Sequence, residues 1–169
     1  MKQRNEQINA NIIVLIKQGL LIMTQQLPKT IDPIHAAKQG LILSGRLPLK
    51  KLLRLCAIHN QLNQEALVEM RFFLDPAGLH VIQGEIKTIV ELVCERCNQP
   101  VEYPLTLSFC LNPVLSEYQL SRLPESYEPL MMHDTFVEIA TIIEDEILLG
   151  LPMVAKHEQC PVNLPSYLK

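Results

Sequence analysis

The stretch that decides the fold runs over residues 79–111, LHVIQGEIKTIVELVCERCNQPVEYPLTLSFCL. Apolar residues alternate with polar ones along much of residues 79–93 and 101–111, which is the period of a β-strand. Cys94 and Cys97 lie between the two runs at C-x-x-C spacing. The pattern predicts two antiparallel strands joined by a tight turn with two sulfurs at its tip. Such a knuckle is typical of half a structural zinc site, because nearby turn positions can direct both thiolates at one tetrahedral ion.

Further strands precede this hairpin. Residues 65–74, EALVEMRFFL, predict a strand that turns at residues 75–78, DPAG, into the first strand of the hairpin. Residues 40–47 predict an earlier strand. The three strands from residue 65 onward, joined by short turns, are predicted to form an antiparallel meander. Residues 112–134 contain three prolines and predict an irregular connection.

Two amphipathic helices are expected to pack on the meander. The first is predicted to begin at Pro48 and end at Asn60. The second is predicted to begin at a capping box of Thr135 and Glu138 and to run to about Leu149, with Gly150 in a left-handed conformation after it. We expect its buried residues to be Phe136, Ile139, Ala140, Ile143 and Ile147. The sequence therefore predicts an α+β fold, with an antiparallel β-meander, a Cys-x-x-Cys hairpin knuckle and two amphipathic helices packed against it.

The N-terminal residues invite two interpretations. Residues 11–23 are similar to a signal-peptide core, but Lys17 interrupts them, no small-residue cleavage site follows, and the run is too short to span a bilayer. We interpret Met23 as the natural start and residues 1–22 as a non-native or disordered extension. The alternative is a genuine amphipathic extension. Hydrophobic residues make up 48% of the whole chain, enough for a core of reasonable size. We therefore predict one globular domain over residues 23–169.

Charge is distributed unevenly along the chain, whose net charge is -3. Residues 1–90 hold eleven Lys and Arg against six Asp and Glu, a balance of +5, and residues 91–169 hold four against twelve, a balance of -8. Such polarity lets one face meet phosphate and another meet a basic protein. The alternative is that the charges form no single face. The acidic run at residues 144–146 is expected on the outer, wet side of its helix, since nothing pairs these carboxylates in a cleft.

The knuckle needs further ligands to form a metal site. His157 and Cys160 offer them, giving a Cys3His set with Cys94 and Cys97 that would hold Zn²⁺. The alternatives are idle reduced thiols or a redox pair. A redox pair usually opens a helix after a parallel strand, and a thiol oxidoreductase would need a low pKa at one of the two knuckle cysteines. The five cysteines lack the spacing of a secreted scaffold, which favours a reducing cytoplasm.

A basic helical face offers candidate contacts to phosphate groups. It consists of Arg46, Lys50, Lys51 and Arg54, of which Lys50 and Arg54 lie one helical turn apart. The alternative is an ordinary solvated helix face. The chain has no nucleophile elbow, phosphate-binding glycine loop or H-E-x-x-H motif, so an enzyme is the weaker hypothesis.

Four stretches resemble one protein family in wording and order. They are LPKTIDPIHAAK at 27–38, ELVCERCNQPVEYPL at 91–105, LPESYEPL at 123–130 and IIEDEILLGLPMVAKHEQC at 142–160. The chain resembles the YceD family, the bacterial and plastid proteins called large ribosomal RNA subunit accumulation proteins. Some members of that family close the tail with a second cysteine pair in a C-P-x-C-G setting, whereas this chain has only His157 and Cys160 there.

The resemblance implies a non-enzymatic role in large-subunit assembly, linked to accumulation of 23S rRNA. We therefore expect a cytoplasmic assembly factor whose partners are 23S rRNA or a pre-50S particle and a large-subunit ribosomal protein, with no membrane association. The alternative is a protein-interaction module that acts through a ribosomal protein or a nuclease without touching RNA. The sequence predicts no oligomeric state.

Overall fold

A computed structural model describes residues 22–25, 27–58 and 63–160. Its main sheet has six strands, in the order β1 (Ile22–Gln25), β3 (Ile42–Pro48), β4 (Glu65–Leu74), β5 (His80–Val93), β6 (Pro100–Val114) and β7 (Glu128–Met131). A second sheet has two strands, β2 (Thr30–Ile31) and β8 (Val137–Glu138). The helices are α1 (Pro33–Gln39), α2 (Leu53–Ile58), α3 (Glu117–Leu120) and α4 (Ile139–Gly150). The predicted extension over residues 1–22 falls outside the described residues, apart from Ile22.

The antiparallel meander is confirmed. Strands β3, β4, β5 and β6 pair in sequence order, and the β5–β6 hairpin is the longest, with Ile82 opposite Leu111 at one end and Val93 opposite Pro100 at the other. Two edge strands add to it in parallel, β1 beside β3 and β7 beside β6. The α+β prediction therefore holds, and the sheet is wider than the meander alone.

The core lies between one face of this sheet and the helices. Alternate residues of β5 point into it, and α4 adds its own apolar stripe. Gly84 of β5 lies opposite Phe109 of β6, and a Cβ atom at Gly84 would overlap the Phe109 ring. A strand glycine often marks such a close approach. The buried residues of α4 are Ile139, Ile142, Ile143, Glu144 and Ile147.

The first predicted helix is wrong at its beginning. Pro48 is the last residue of β3, a 3-10 turn follows at Leu49–Lys51, and α2 starts only at Leu53. Leu52 is extended, with φ -91° and ψ 99°, which separates the two helical pieces. Three leucines spaced by three residues, Leu49, Leu52 and Leu55, are all buried. The predicted end at Asn60 lies outside the described residues.

For the second helix, the predicted start and the left-handed conformation predicted at Gly150 are wrong. Glu138 belongs to strand β8 and pairs with Thr30 of β2, so it does not form a capping box. Helix α4 begins at Ile139, and no side chain caps its first turn. The Glu138 carboxylate lies 3.4 Å from the Lys29 ammonium. Phe136 is 62% exposed rather than buried. Gly150 is the last residue of α4, and the following cap is extended rather than left-handed.

The connection over residues 112–134 is more ordered than predicted. Strand β6 continues to Val114, the short helix α3 follows, and β7 then pairs with the end of β6. Pro129 is accepted in β7 because an edge strand needs to donate hydrogen bonds on one side only. None of the helices in the described part of the chain is both long and apolar enough to cross a bilayer.

Candidate metal centre and basic surface

The turn between β5 and β6 is closed by its own backbone. The amide of Cys94 donates to the carbonyl of Gln99 at 2.9 Å, and the amide of Asn98 donates to the carbonyl of Cys94 at 2.8 Å. Asn98 has a φ of 57°, a left-handed conformation that asparagine tolerates better than most residues. This tight turn sets Cys94 and Cys97 at the tip of the hairpin, as predicted.

The polypeptide after α4 returns to this turn. The amide of Glu95 donates to the carbonyl of Ala155 at 3.0 Å. The Nε2 atom of His157 lies 3.0 Å from the carbonyl oxygen of Pro100. A carbonyl oxygen only accepts, so Nε2 carries the proton in this contact and Nδ1 keeps a free lone pair. The imidazole is thereby oriented with Nδ1 as the nitrogen available to a metal, as is usual when the other ring nitrogen bonds a carbonyl.

The structure brings the four predicted ligands together. The ligand atoms of Cys94, Cys97, His157 and Cys160 all lie within 4.8 Å of one another. The sulfurs of Cys94 and Cys160 are 4.0 Å apart, and the Cys97 sulfur is 3.4 Å from His157 Nδ1. Zn²⁺ bonded to sulfur at about 2.3 Å and to nitrogen at about 2.0 Å separates neighbouring ligands of a tetrahedron by about 3.5–3.8 Å. The cluster can therefore hold a metal ion after small adjustments.

The environment treats the two knuckle thiols differently. Burial would raise the pKa of Cys94, but hydrogen bonds from backbone amides, with that of His157 foremost, outweigh it and lower the pKa to about 5. Burial raises the pKa of Cys97, and the neighbouring sulfurs of Cys160 and Cys94 add to this increase. The surroundings thus favour the thiolate at Cys94 and the protonated thiol at Cys97, so metal binding at Cys97 would release a proton.

Sequence reasoning missed Arg96, which lies between the two knuckle cysteines. Its Nε atom donates to the Cys160 sulfur at 2.9 Å. Its Nη2 atom donates to the backbone carbonyls of His157 at 2.9 Å and Glu158 at 3.4 Å. The only sequence signal was a basic residue inside a C-x-x-C loop, which on its own predicts no partner.

The acidic run and the basic helix meet, which sequence reasoning also missed. One Glu144 oxygen accepts from the amides of Arg54 at 2.7 Å and Leu55 at 3.1 Å, and the other accepts from Arg54 Nε at 3.0 Å. Asp145 lies 2.5 Å from Arg54 Nη2. Glu144 is only 7% exposed, so the expectation that it lies on the solvent-exposed side of its helix is wrong. It is an acceptor that caps the first turn of α2 from another helix.

The four predicted phosphate contacts therefore differ in availability. Arg54 is engaged as described, and Arg46 lies 3.7 Å from Glu65. Lys50 and Lys51 are exposed in the 3-10 turn, and within the described segments no carboxylate lies within 4.0 Å of either ammonium. Arg54, from the first half of the sequence, thus lies beside Glu144 and Asp145 from the second half, whereas the neighbour of Arg46 comes from its own half.

Comparison with known proteins places these features in a family. A sequence model described as "Large ribosomal RNA subunit accumulation protein YceD" matches residues 82–168. A protein of Haemophilus influenzae that carries the same description is 37% identical over 142 residues, which cover 82% of this chain and 81% of that protein. No solved structure matches the chain.

Proposed function

This chain belongs to the YceD family, and we propose that it supports accumulation of 23S rRNA during assembly of the large ribosomal subunit without catalysing a reaction. The single observation that carries the proposal is the 37% identity with a relative whose description names large ribosomal RNA subunit accumulation. The proposal places the protein in the cytoplasm, where ribosomes assemble and thiols stay reduced.

A non-enzymatic role agrees with how the reactive-looking groups are used. Glu144 is bound to two backbone amides and to Arg54, so it is a structural carboxylate. Cys94 has a low pKa, but its side chain is fully buried and closed to a substrate. These arrangements favour a scaffold over a thiol oxidoreductase.

Direct contact with the RNA backbone is the first mechanism proposed. Lys50 and Lys51 offer exposed ammonium groups, while Arg46 and Arg54 flank them and share their charge with nearby carboxylates. Lysine ammonium groups bind phosphates as point charges, and each such contact displaces counterions from RNA. Affinity for rRNA should therefore fall steeply as salt is raised.

The test compares two double variants with the same change in net charge. We expect Lys50→Glu with Lys51→Glu to weaken binding to 23S rRNA fragments and to lower the slope of log K against log salt by about 0.7 for each lost phosphate contact. Lys38→Glu with Arg122→Glu is the control, since both residues lie near His80, at the opposite end of the sheet from the 3-10 turn. If both variants bind RNA like the wild type and keep 23S rRNA levels, direct contact through this surface is refuted.

A second mechanism acts through a basic ribosomal protein without RNA contact. It is favoured by Glu146, whose pKa is raised to about 7 by burial and then by the negative charges of Glu128 and Asp145. A cationic partner would relieve this crowding of carboxylates. Glu128→Gln with Glu146→Gln should weaken capture of large-subunit ribosomal proteins if this mechanism operates, and should leave capture unchanged if the RNA mechanism does.

We also propose that Cys94, Cys97, His157 and Cys160 hold Zn²⁺ as a structural centre. The support is the donor set, since three thiolates and one imidazole within 4.8 Å suit a closed tetrahedral site. Bound Zn²⁺ would join the end of the chain to the sheet, so that metal affinity would contribute to folding.

Elemental analysis tests the centre directly. We expect one Zn²⁺ per chain in the wild type and in Cys110→Ser, whose thiol lies outside the cluster, and a loss of metal in Cys160→Ser. A wild type that stays free of metal after purification with Zn²⁺ present would leave the four side chains as idle ligands.

A further inference from the structure

Arg96 is placed to act on the metal centre without being a ligand. Residues 94–97 form the knuckle, and the Arg96 guanidinium reaches from it to the returning tail. It donates to the Cys160 sulfur through Nε and to the carbonyls of His157 and Glu158 through Nη2. One side chain thus contacts a ligand atom and the backbone that carries a second ligand.

The charge of the three thiolates explains why a positively charged side chain such as Arg96 belongs beside the metal site. Three thiolates carry one negative charge more than a Zn²⁺ ion neutralises. Cys94 is buried, and Cys97 and Cys160 are partly buried, so this excess charge is poorly hydrated. A buried charge is costly unless it is paired and hydrogen-bonded. The Arg96 guanidinium is always protonated and provides both the charge and the donor.

The two kinds of contact act on different ligands. The 2.9 Å contact from Nε to the Cys160 sulfur would be a charge-assisted hydrogen bond to a metal-bound thiolate. The contacts to two tail carbonyls restrict the main chain from which the His157 imidazole extends. The planar fork of arginine suits this arrangement, whereas a lysine ammonium could keep the charge but not all three contacts in their present geometry.

We propose that Arg96 is an outer-sphere positioning residue that sets the Zn²⁺ affinity of this centre by neutralising the Cys160 thiolate and holding the ligand-bearing tail against the knuckle. The inference rests on the metal binding proposed above. Outer-sphere partners of metal ligands typically change affinity by about 10- to 100-fold when they are replaced. Arg96 therefore differs from an arginine that only joins the tail to the sheet, whose loss would weaken the metal-free and metal-bound protein equally.

The experiment measures the Zn²⁺ dissociation constant of the full chain by competition with a chromophoric chelator. Arg96→Gln is expected to raise that constant by about 10- to 100-fold. Arg96→Lys should recover part of the loss, because it restores the charge. Arg122→Gln is the matched control, since Arg122 stacks over the Tyr118 ring and should leave the constant unchanged. Substitution with Co²⁺ should show tetrahedral coordination by three thiolates and one imidazole in every variant, with a shifted sulfur-to-metal charge-transfer band in Arg96→Gln.

The outcomes separate this inference from the proposed centre. If the wild type binds one Zn²⁺ and Arg96→Gln binds it within twofold as tightly, the role of Arg96 is overturned and the centre stands. The same holds if unfolding shows equal losses in the metal-free and metal-bound forms. If Arg96→Lys is as weak as Arg96→Gln, neutralisation of the Cys160 thiolate is overturned as the source of the effect. If the wild type binds no Zn²⁺, both the centre and the role of Arg96 are overturned.

Discussion

Replacing Glu144 should destabilise the protein more than the loss of any exposed charge. Glu144→Ala removes the acceptor of two amides in the first turn of α2 and leaves them unpaired, that of Leu55 at a buried position and that of Arg54 at a part-buried one. The loss of such a cap costs about 0.5–2 kcal/mol, and leaving a buried donor unsatisfied costs about 1–3 kcal/mol. The ion pair with Arg54 adds little, because the Arg54 side chain is half exposed and solvent screens its charge. We expect a decrease of about 3 kcal/mol in the free energy of unfolding.

Urea unfolding followed by circular dichroism measures this difference. Glu144→Gln keeps a carbonyl oxygen for the amides and should lose about half as much as Glu144→Ala. Asp145→Ala removes only a partly exposed partner of Arg54 and should change the stability by about 1 kcal/mol or less. A decrease below about 0.5 kcal/mol in Glu144→Ala would refute the assignment of Glu144 as the cap of α2.

Three further predictions follow from the geometry. Gly84→Val should lower the free energy of unfolding by about 1–3 kcal/mol, because the new side chain overlaps the Phe109 ring, whereas Gln83→Val on the open face of the sheet should not lower it. Equal effects of the two variants in denaturant titrations would argue against the close approach of Gly84 to Phe109. Glu146→Gln should raise the free energy of unfolding above that of the wild type at pH 8, because the pKa of Glu146 is raised in the folded state. The stability that protonated Glu146 gives the wild type is fully present below about pH 4.5 and is lost as the pH rises through about 7, so a variant with the same pH profile as the wild type would contradict this. Chelation should lower the melting temperature of the wild type but not of Cys160→Ser, and identical responses would mean that Zn²⁺ does not stabilise the fold.

The hairpin was predictable because its signals are local. Alternation in residues 79–93 and the C-x-x-C spacing depend only on neighbours in sequence, and they gave the strand pair and the sulfurs at its tip. The meeting of His157 and Cys160 with the knuckle was predictable from ligand chemistry, since a half-site needs partners. These arguments use residue type and spacing, which the sequence states directly.

The remaining features depend on partners far away in sequence. Thr135 and Glu138 form a capping box by spacing, but pairing of β8 with β2 uses the same backbone and excludes the helical turn. Glu144 belongs to a polar run of α4, and its buried position depends on amides of α2 about 90 residues earlier. Local patterns describe which residues are polar and do not reveal which polar residue will meet an uncapped helix.

Sedimentation of this protein in cell extracts tests the ribosomal role most directly. At low salt the protein should migrate with pre-50S particles, and raised salt should return it to the top of the gradient, since phosphate contacts are screened. A protein that stays at the top of the gradient even at low salt, in cells that are assembling ribosomes, would contradict the proposal that this chain acts on the large subunit.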